Sequence, residues 1–151
     1  MRRRLSVSAT CVFAIGFLTF TLRAADAPVT IGDDGTTYTL SNGIVAARIS
    51  RTTGGLMSLV YNGIETLDPQ DRNAGYWSHS AASNQGFEKI TIDPKTNGGE
   101  RGEVAIKGES NGNPMGSGPG GSMIADIEIR WCLERGLHGI YTYSTFTHKP
   151  A

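Results

Sequence analysis

The chain has 151 residues, which favours a single domain, and its 14 Lys and Arg balance its 14 Asp and Glu. A chain with no basic excess is not expected to bind nucleic acid, because such proteins carry a basic patch or stripe. Its two cysteines, Cys11 and Cys132, lack the spacing of a zinc site.

Residues 1–24 are typical of a secretory signal peptide. Three arginines at positions 2–4 precede an uncharged, mostly apolar run over 7–22, and small residues follow that run. Cleavage is predicted after Ala24 or after Ala27. An uncleaved anchor is the alternative, although the run is marginal for a membrane span, which needs about 20 apolar residues. We therefore expect a secreted or periplasmic protein with no stable membrane insertion after cleavage.

Cleavage changes both the charge and the cysteine content. A cut after Ala24 leaves 127 residues and removes four arginines but no acidic residue, so 10 basic residues face 14 acidic ones and the net charge is near −4. Cys11 leaves with the signal, and Cys132 then has no intrachain disulfide partner. Because Cys132 lies between Trp131 and Leu133 in a strand pattern, we expect it to be buried as a small apolar side chain. A reactive thiol or an intermolecular disulfide is the alternative.

The mature chain, from residue 28 on, begins with short strand patterns separated by turn residues. Strands are predicted over 36–40, 44–50, 56–61 and 64–67, with turns at Asn42-Gly43, Gly54-Gly55 and Asn62-Gly63. The Asn42-Gly43 pair predicts a type I′ hairpin turn, because Asn and Gly tolerate positive φ angles. Alternate apolar positions from Val45 to Ile49 predict a half-buried strand. Asp33 and Asp34 lack the spaced ligands of a calcium loop and predict a turn instead.

The strand pattern continues to the end of the sequence. Further strands are predicted over 75–79, 87–92, 102–109, 124–133 and 140–148. Residues 108–121 contain six Gly and two Pro, which predicts a flexible loop, either disordered or functional, with no spacing typical of a phosphate-binding motif. We therefore expect an all-β protein of eight to ten short strands in an antiparallel sandwich or barrel, ending on an unpaired edge strand.

A polar row follows the strand over 124–133. Asp126, Glu128 and Arg130 occupy alternate positions, opposite an apolar row that includes Trp131. Two interpretations are open, a cleft that binds acidic sugars and the solvated face of an amphipathic strand, and the pattern favours the second.

Tyr76, Trp77 and His79 are the candidate substrate-binding residues. Aromatic rings with a few polar groups beside them can stack on the apolar face of a sugar. The alternative is that Trp77 belongs to the core and that His79 is structural.

Five short phrases in this chain resemble the N-terminal domain of rhamnogalacturonan lyases of polysaccharide lyase family 4. In the order of the family they are Asn42–Val45, Thr53–Leu56, Tyr61–Ile64, Asn73–Trp77 and Gly139–Tyr143. The resemblance covers roughly residues 36–148. Ala74 and Ser78 stand where the family usually has Arg and Asp, which leaves the exact substrate open.

The resemblance implies that residues 28–151 form the N-terminal, incomplete part of a galactose-mutarotase-like supersandwich. It also implies β-elimination at galacturonate in the pectin rhamnogalacturonan I. No cofactor is expected, and no residue of this chain is assigned to a metal. The catalytic Lys and His of the family fall downstream of the last strand. His148 and Lys149 do not match their motifs, so no catalytic residue is assigned here. We expect either an inactive N-terminal part of a secreted lyase or a non-catalytic extracellular carbohydrate-binding sandwich.

Overall fold

A computed structural model describes residues 25–68, 87–109 and 125–148, which form strands β1–β9 and one 3₁₀ turn at Pro94–Thr96. The strands are Thr30–Asp33 (β1), Thr37–Ser41 (β2), Val45–Ser50 (β3), Leu56–Tyr61 (β4), Ile64–Glu65 (β5), Phe87–Ile92 (β6), Arg101–Gly108 (β7), Ala125–Glu134 (β8) and Tyr141–His148 (β9). They build two antiparallel sheets, in the orders β1-β2-β3-β4-β5 and β6-β7-β8-β9. The predicted antiparallel β-sandwich is therefore confirmed.

The predicted strands agree with the observed ones to within two residues at each end. Strand β1 was not predicted, because Ile31 is the only large apolar side chain between Thr30 and Asp33. Pairing with β2 makes this short segment a strand. The predicted signal peptide, the strand over 75–79 and positions 110–121 of the predicted loop lie outside the described residues.

The predicted type I′ turn lies at a different Asn-Gly pair. Such a turn needs positive φ at both central residues, and only Gly43 of the Asn42-Gly43 pair has one, at 82°. The prediction for Asn42 is therefore wrong. Asn62 and Gly63, between β4 and β5, have φ of 48° and 81° and meet the requirement.

A buried side-chain amide explains the conformation of Asn42. Its Nδ2 donates to the carbonyl oxygens of Glu134 at 2.9 Å and Leu137 at 2.8 Å. Its Oδ1 accepts from the backbone N–H groups of Ile44 at 3.1 Å and Val45 at 2.9 Å. Because the side chain is fully buried, these four bonds satisfy groups that would otherwise be costly to desolvate. Asn42 thereby attaches the β2–β3 turn to the end of β8.

The core lies between the inner faces of the two sheets. The first sheet contributes alternate residues of β2 and β3, and the second contributes alternate residues of β7 and β8. The buried apolar residues of these strands are Tyr38, Leu40, Val45, Ala47, Ile49, Val104, Ile106, Ile127, Ile129, Trp131 and Leu133. The alternation predicted for β3 is confirmed, since its apolar row is buried and its polar row is not.

Trp131 joins the two sheets through its ring nitrogen. The Nε1 atom donates to the carbonyl oxygen of Gly54, in the β3–β4 turn, at 2.8 Å. Gly54 has φ of 71°, and a Cβ atom there would lie 3.1 Å from Cδ1 of Ile129. Both the backbone conformation and the close approach therefore require glycine.

Polar contacts also set which edges of the sheets lie together. The guanidinium of Arg51 bridges Asp33 of β1 and Glu88 of β6, each at 2.8 Å. On the opposite side, the hydroxyl of Tyr61, at the end of β4, lies 3.0 Å from Nδ1 of His138, shortly before β9. The β1 edge therefore lies near β6, and β4 lies toward the β9 side.

Candidate functional site

The outer face of the second sheet carries a continuous set of polar side chains. In the register, Glu103 lies opposite Cys132 and Arg130 lies opposite Tyr143, on the side of the sheet away from the core. We call this set the outer polar face. Its members are Thr91, Arg101, Glu103, Lys107, Asp126, Glu128, Arg130, Cys132, Tyr141 and Tyr143.

Glu103 is the centre of this face and is only 2% exposed. Its Oε1 accepts from the hydroxyl of Thr91 at 2.8 Å and from Nη1 of Arg130 at 2.9 Å. Its Oε2 accepts from Nη2 of Arg101 and from the hydroxyl of Tyr143, both at 3.1 Å. We call these five residues the Glu103 cluster. Each carboxylate oxygen has two donors, which offsets the cost of burying the charge.

The same bonds decide the protonation of the carboxylate. Burial by itself raises the pKa of Glu103, but the hydrogen bonds from Thr91, Arg130, Tyr143 and Arg101 outweigh it and hold that pKa below its usual value. A carboxylate with a low pKa and occupied lone pairs is a poor general base. The Glu103 cluster is therefore suited to holding a rigid surface and not to removing a proton.

Arg130 is held by a second carboxylate next to Glu103. Its Nε lies 2.5 Å from Oε1 of Glu128. That hydrogen bond raises the pKa of Arg130 above its usual value, and burial opposes the shift only in part. The guanidinium also lies 6.0 Å from the centroid of the Tyr143 ring, within the range of a cation–π contact.

The polar row predicted on β8 is confirmed as one face of the sheet, but it is not simply solvated. Glu128 and Arg130 are partly buried and paired with each other, and Asp126 is 5% exposed with Lys107 Nζ 3.7 Å away. The long side chains of neighbouring strands cover the carboxylates, an arrangement that the sequence of one strand cannot reveal.

Two tyrosines give the outer polar face its exposed aromatic surface. Tyr141 and Tyr143 point the same way from β9 and are 62% and 44% exposed. Exposed aromatic rings beside charged groups form a surface on which a sugar ring can stack. The described residues therefore present an exposed aromatic strip along β9, formed by Tyr141 and Tyr143.

Cys132, a member of this face, is a free cysteine and only 2% exposed. Burial raises the pKa of its thiol, although Arg101 opposes the shift. A buried thiol with a raised pKa is a poor nucleophile, so the prediction of a small buried side chain is confirmed.

The acidic pair near the start of β2 forms the predicted turn. Asp34 Oδ1 accepts from the backbone N–H groups of Thr36 at 2.8 Å and Thr37 at 2.6 Å, and its Oδ2 accepts from the Thr37 hydroxyl at 2.7 Å. Hydrogen bonds from the side chains and then the backbones of Thr36 and Thr37 lower the pKa of Asp34. The Asp34 carboxylate therefore stabilises the turn through these hydrogen bonds.

The candidate substrate-binding residues Tyr76, Trp77 and His79 lie outside the described residues. Conversely, Glu103 was not singled out from the sequence, although it is the most connected polar residue of the described site. The available signal was a Glu between Gly102 and Val104 in the middle of a strand. Three of its four partners, Thr91, Arg130 and Tyr143, are 12, 27 and 40 residues away along the chain.

Within residues 25–68, 87–109 and 125–148, no three side chains of the metal-binding types come together, and no helix is long and apolar enough to span a membrane. Comparison with models of known protein families, with curated proteins and with solved structures gives no match.

Proposed function

We propose that this chain is the N-terminal sandwich part of a secreted rhamnogalacturonan lyase. In this proposal it holds the rhamnogalacturonan I backbone, while the residues that carry out β-elimination at galacturonate lie elsewhere in the enzyme. The observation that carries the proposal is the order of the five family phrases along one β-sandwich chain.

The positions of four of these phrases support it. Asn42–Val45 and Tyr61–Ile64 are hairpin turns with their flanking residues, and Thr53–Leu56 leads into β4. Gly139–Tyr143 enters β9, where two exposed tyrosines lie on the outer polar face. The fifth phrase, Asn73–Trp77, lies outside the described residues.

The chemistry of the outer polar face supports binding without cleavage. β-Elimination needs a base poised near the working pH and positive groups that stabilise the developing enediolate. Glu103 has a lowered pKa and four donors, and Arg130 is paired with both Glu103 and Glu128. Because these groups are paired with one another, they are suited to forming a binding surface and poorly suited to proton transfer.

The direct test combines a binding assay with an activity assay on the secreted chain. We expect the chain to bind rhamnogalacturonan I oligosaccharides, with neutral xylan as the control polymer, and to produce no absorbance from unsaturated uronides. Absence of binding would contradict the proposed role. Growth of the uronide absorbance would contradict the claim that the reactive groups lie elsewhere.

A second candidate function is carbohydrate binding by a free-standing sandwich that has no lyase partner. The exposed Tyr141 and Tyr143 beside Arg130 favour it, because they need no further residues to stack on a sugar. Fusing a catalytic region of the lyase family to this chain separates the two proposals. Only the first proposal expects the fused protein to release unsaturated uronides.

Under both proposals, Tyr141→Ala is expected to weaken binding of rhamnogalacturonan I oligosaccharides by about two- to tenfold, because an aromatic stacking contact contributes about 0.5–1.5 kcal/mol. Isothermal titration calorimetry measures the change. Met57→Ala is the matched control, since Met57 is 60% exposed on the other sheet, and it should leave the affinity unchanged. Equal affinities of Tyr141→Ala and the unaltered chain would exclude this strip as the binding surface.

A further inference from the structure

Three Asn-Gly pairs lie at turns in the described part of the chain, and a fourth lies outside it. The three are Asn42-Gly43, Asn62-Gly63 and Asn97-Gly98, and the fourth is Asn111-Gly112. An asparagine loses its side-chain amide most readily before glycine, because glycine has no side chain to hinder attack by its backbone nitrogen on Cγ of the asparagine. An asparagine whose amide is held by hydrogen bonds reacts only after the turn opens and those bonds break.

Asn42 is the most firmly held of the three. Its fully buried amide makes four hydrogen bonds, two of them to the carbonyl oxygens of Glu134 and Leu137. Gly43 is also crowded, since a Cβ atom there would lie 2.9 Å from Cβ of Ala27. Breaking four bonds to a buried group is costly, so the Asn42 amide is protected while the sandwich is folded.

Asn97 is held by three side-chain hydrogen bonds in the turn before β7. Its Nδ2 donates to the carbonyl oxygen of Arg101 at 2.7 Å, and its Oδ1 accepts from the backbone N–H groups of Glu100 at 2.9 Å and Arg101 at 3.3 Å. A Cβ atom at Gly98 would meet no atom within 4 Å. The hydrogen bonds, and not crowding, therefore protect this asparagine.

Asn62 has neither form of protection. Its side chain is exposed and makes no hydrogen bond within the described residues, and a Cβ atom at Gly63 would meet no atom within 4 Å. The backbone N–H of Asn62 donates to the carbonyl oxygen of Ile44 at 2.8 Å. The strand that follows, β5, pairs with β4 at only two positions, and the carboxylate of Glu65 that bonds to β4 does not reach the Asn62 amide. This turn therefore opens at a smaller cost than the other two.

We propose that Asn62 is a site of spontaneous deamidation in the folded protein, and that Asn42 and Asn97 are not. The backbone nitrogen of Gly63 gives up its proton and attacks Cγ of Asn62, the bond from Cγ to the side-chain nitrogen breaks, and ammonia leaves. Water then opens the resulting five-membered succinimide at one carbonyl or the other, which gives aspartate or isoaspartate. Water is the only co-reactant.

The product changes the turn in two ways. A carboxylate replaces a neutral amide, so the protein gains one negative charge beside Tyr61, whose hydroxyl contacts His138. Isoaspartate also adds one carbon atom to the main chain of a two-residue turn, whose type I′ geometry depends on that length. The turn with isoaspartate no longer matches the two-position pairing of β4 with β5.

Site-resolved mass spectrometry of the full chain tests the proposal. Trypsin places the four Asn-Gly pairs on separate peptides, since Arg or Lys residues lie between them. After incubation of the folded protein at mildly alkaline pH, we expect Asn62 to deamidate at least about tenfold faster than Asn42 and Asn97. Asn62→Gly should remove the product from its peptide and keep the fold, because Gly-Gly also suits a type I′ turn.

The same chain unfolded in urea is the matched control, because unfolding removes the protection of Asn42 and Asn97 and leaves the sequence unchanged. There we expect the three asparagines to deamidate at similar rates. The proposal is overturned if Asn42 or Asn97 reacts as fast as Asn62 in the folded chain, or if Asn62 reacts in urea but stays intact in the folded chain. An equal preference for Asn62 in urea would trace it to local sequence and would also contradict the protection argued from the fold.

Discussion

Replacing Trp131 by alanine lowers the free energy of unfolding by about 3–5 kcal/mol, the range typical of removing a buried aromatic side chain. Trp131 is 4% exposed in the core between the sheets, and its Nε1 donates to the Gly54 carbonyl at 2.8 Å. The alanine variant loses both the packing and the bond. Urea denaturation followed by circular dichroism measures the loss.

Trp131→Phe separates the two contributions. Phenylalanine keeps most of the apolar ring but leaves the carbonyl of Gly54 without its donor, at an expected cost of about 1–3 kcal/mol. Trp131→Phe should therefore be clearly more stable than Trp131→Ala. If the alanine variant lost less than about 1 kcal/mol, Trp131 could not occupy the centre of a packed core.

Replacing Glu103 by glutamine should lower the free energy of unfolding at pH 7 by about 1–3 kcal/mol, since the lost bonds are hydrogen bonds to a charged group. The folded pKa of Glu103 is lowered, so its stabilising effect is fully present above the unfolded pKa, near 4.5. The effect disappears as the pH falls through the folded pKa. The stability curve of Glu103→Gln should thus converge on that of the unaltered chain in acid.

Urea unfolding at pH 7, 5 and 3 measures this convergence. Glu109→Gln is the matched control, because Glu109 is an exposed residue at the end of β7, and it should change the free energy of unfolding at pH 7 by less than about 0.5 kcal/mol. The unaltered chain still loses stability in acid through other carboxylates, such as Asp34, whose pKa is also lowered. A constant difference between Glu103→Gln and the unaltered chain at all three values would show that the pKa of Glu103 is the same in the folded and the unfolded protein, which would contradict the lowered pKa.

The outer polar face combines exposed aromatic rings with paired charges. Tyr141 and Tyr143 supply the exposed rings, and the Glu103 cluster links β6, β7, β8 and β9. Under the proposed function, a sugar chain would contact the aromatic rings first and the guanidinium of Arg130 beside them.

Local features of this chain could be predicted because they depend on neighbours in sequence. The apolar row of β3 and the polar row of β8 follow from alternation with a period of two. The Asn-Gly pairs illustrate the limit of this reasoning. Asn62 adopts the positive φ that the dipeptide favours, whereas at Asn42 four side-chain hydrogen bonds to distant and local backbone select another conformation.

The amino-acid sequence by itself determined strands β2–β9 to within two residues at each end, the apolar rows of β3 and β8 that become buried and the burial of Cys132. Only the tertiary structure decided which polar groups meet. Glu103 contacts Arg130 and Tyr143, 27 and 40 residues further along, and Asn42 contacts Glu134 across 92 residues. Such contacts depend on strand register and on the stacking of the sheets, and a shift of one residue would move every side chain to the opposite face.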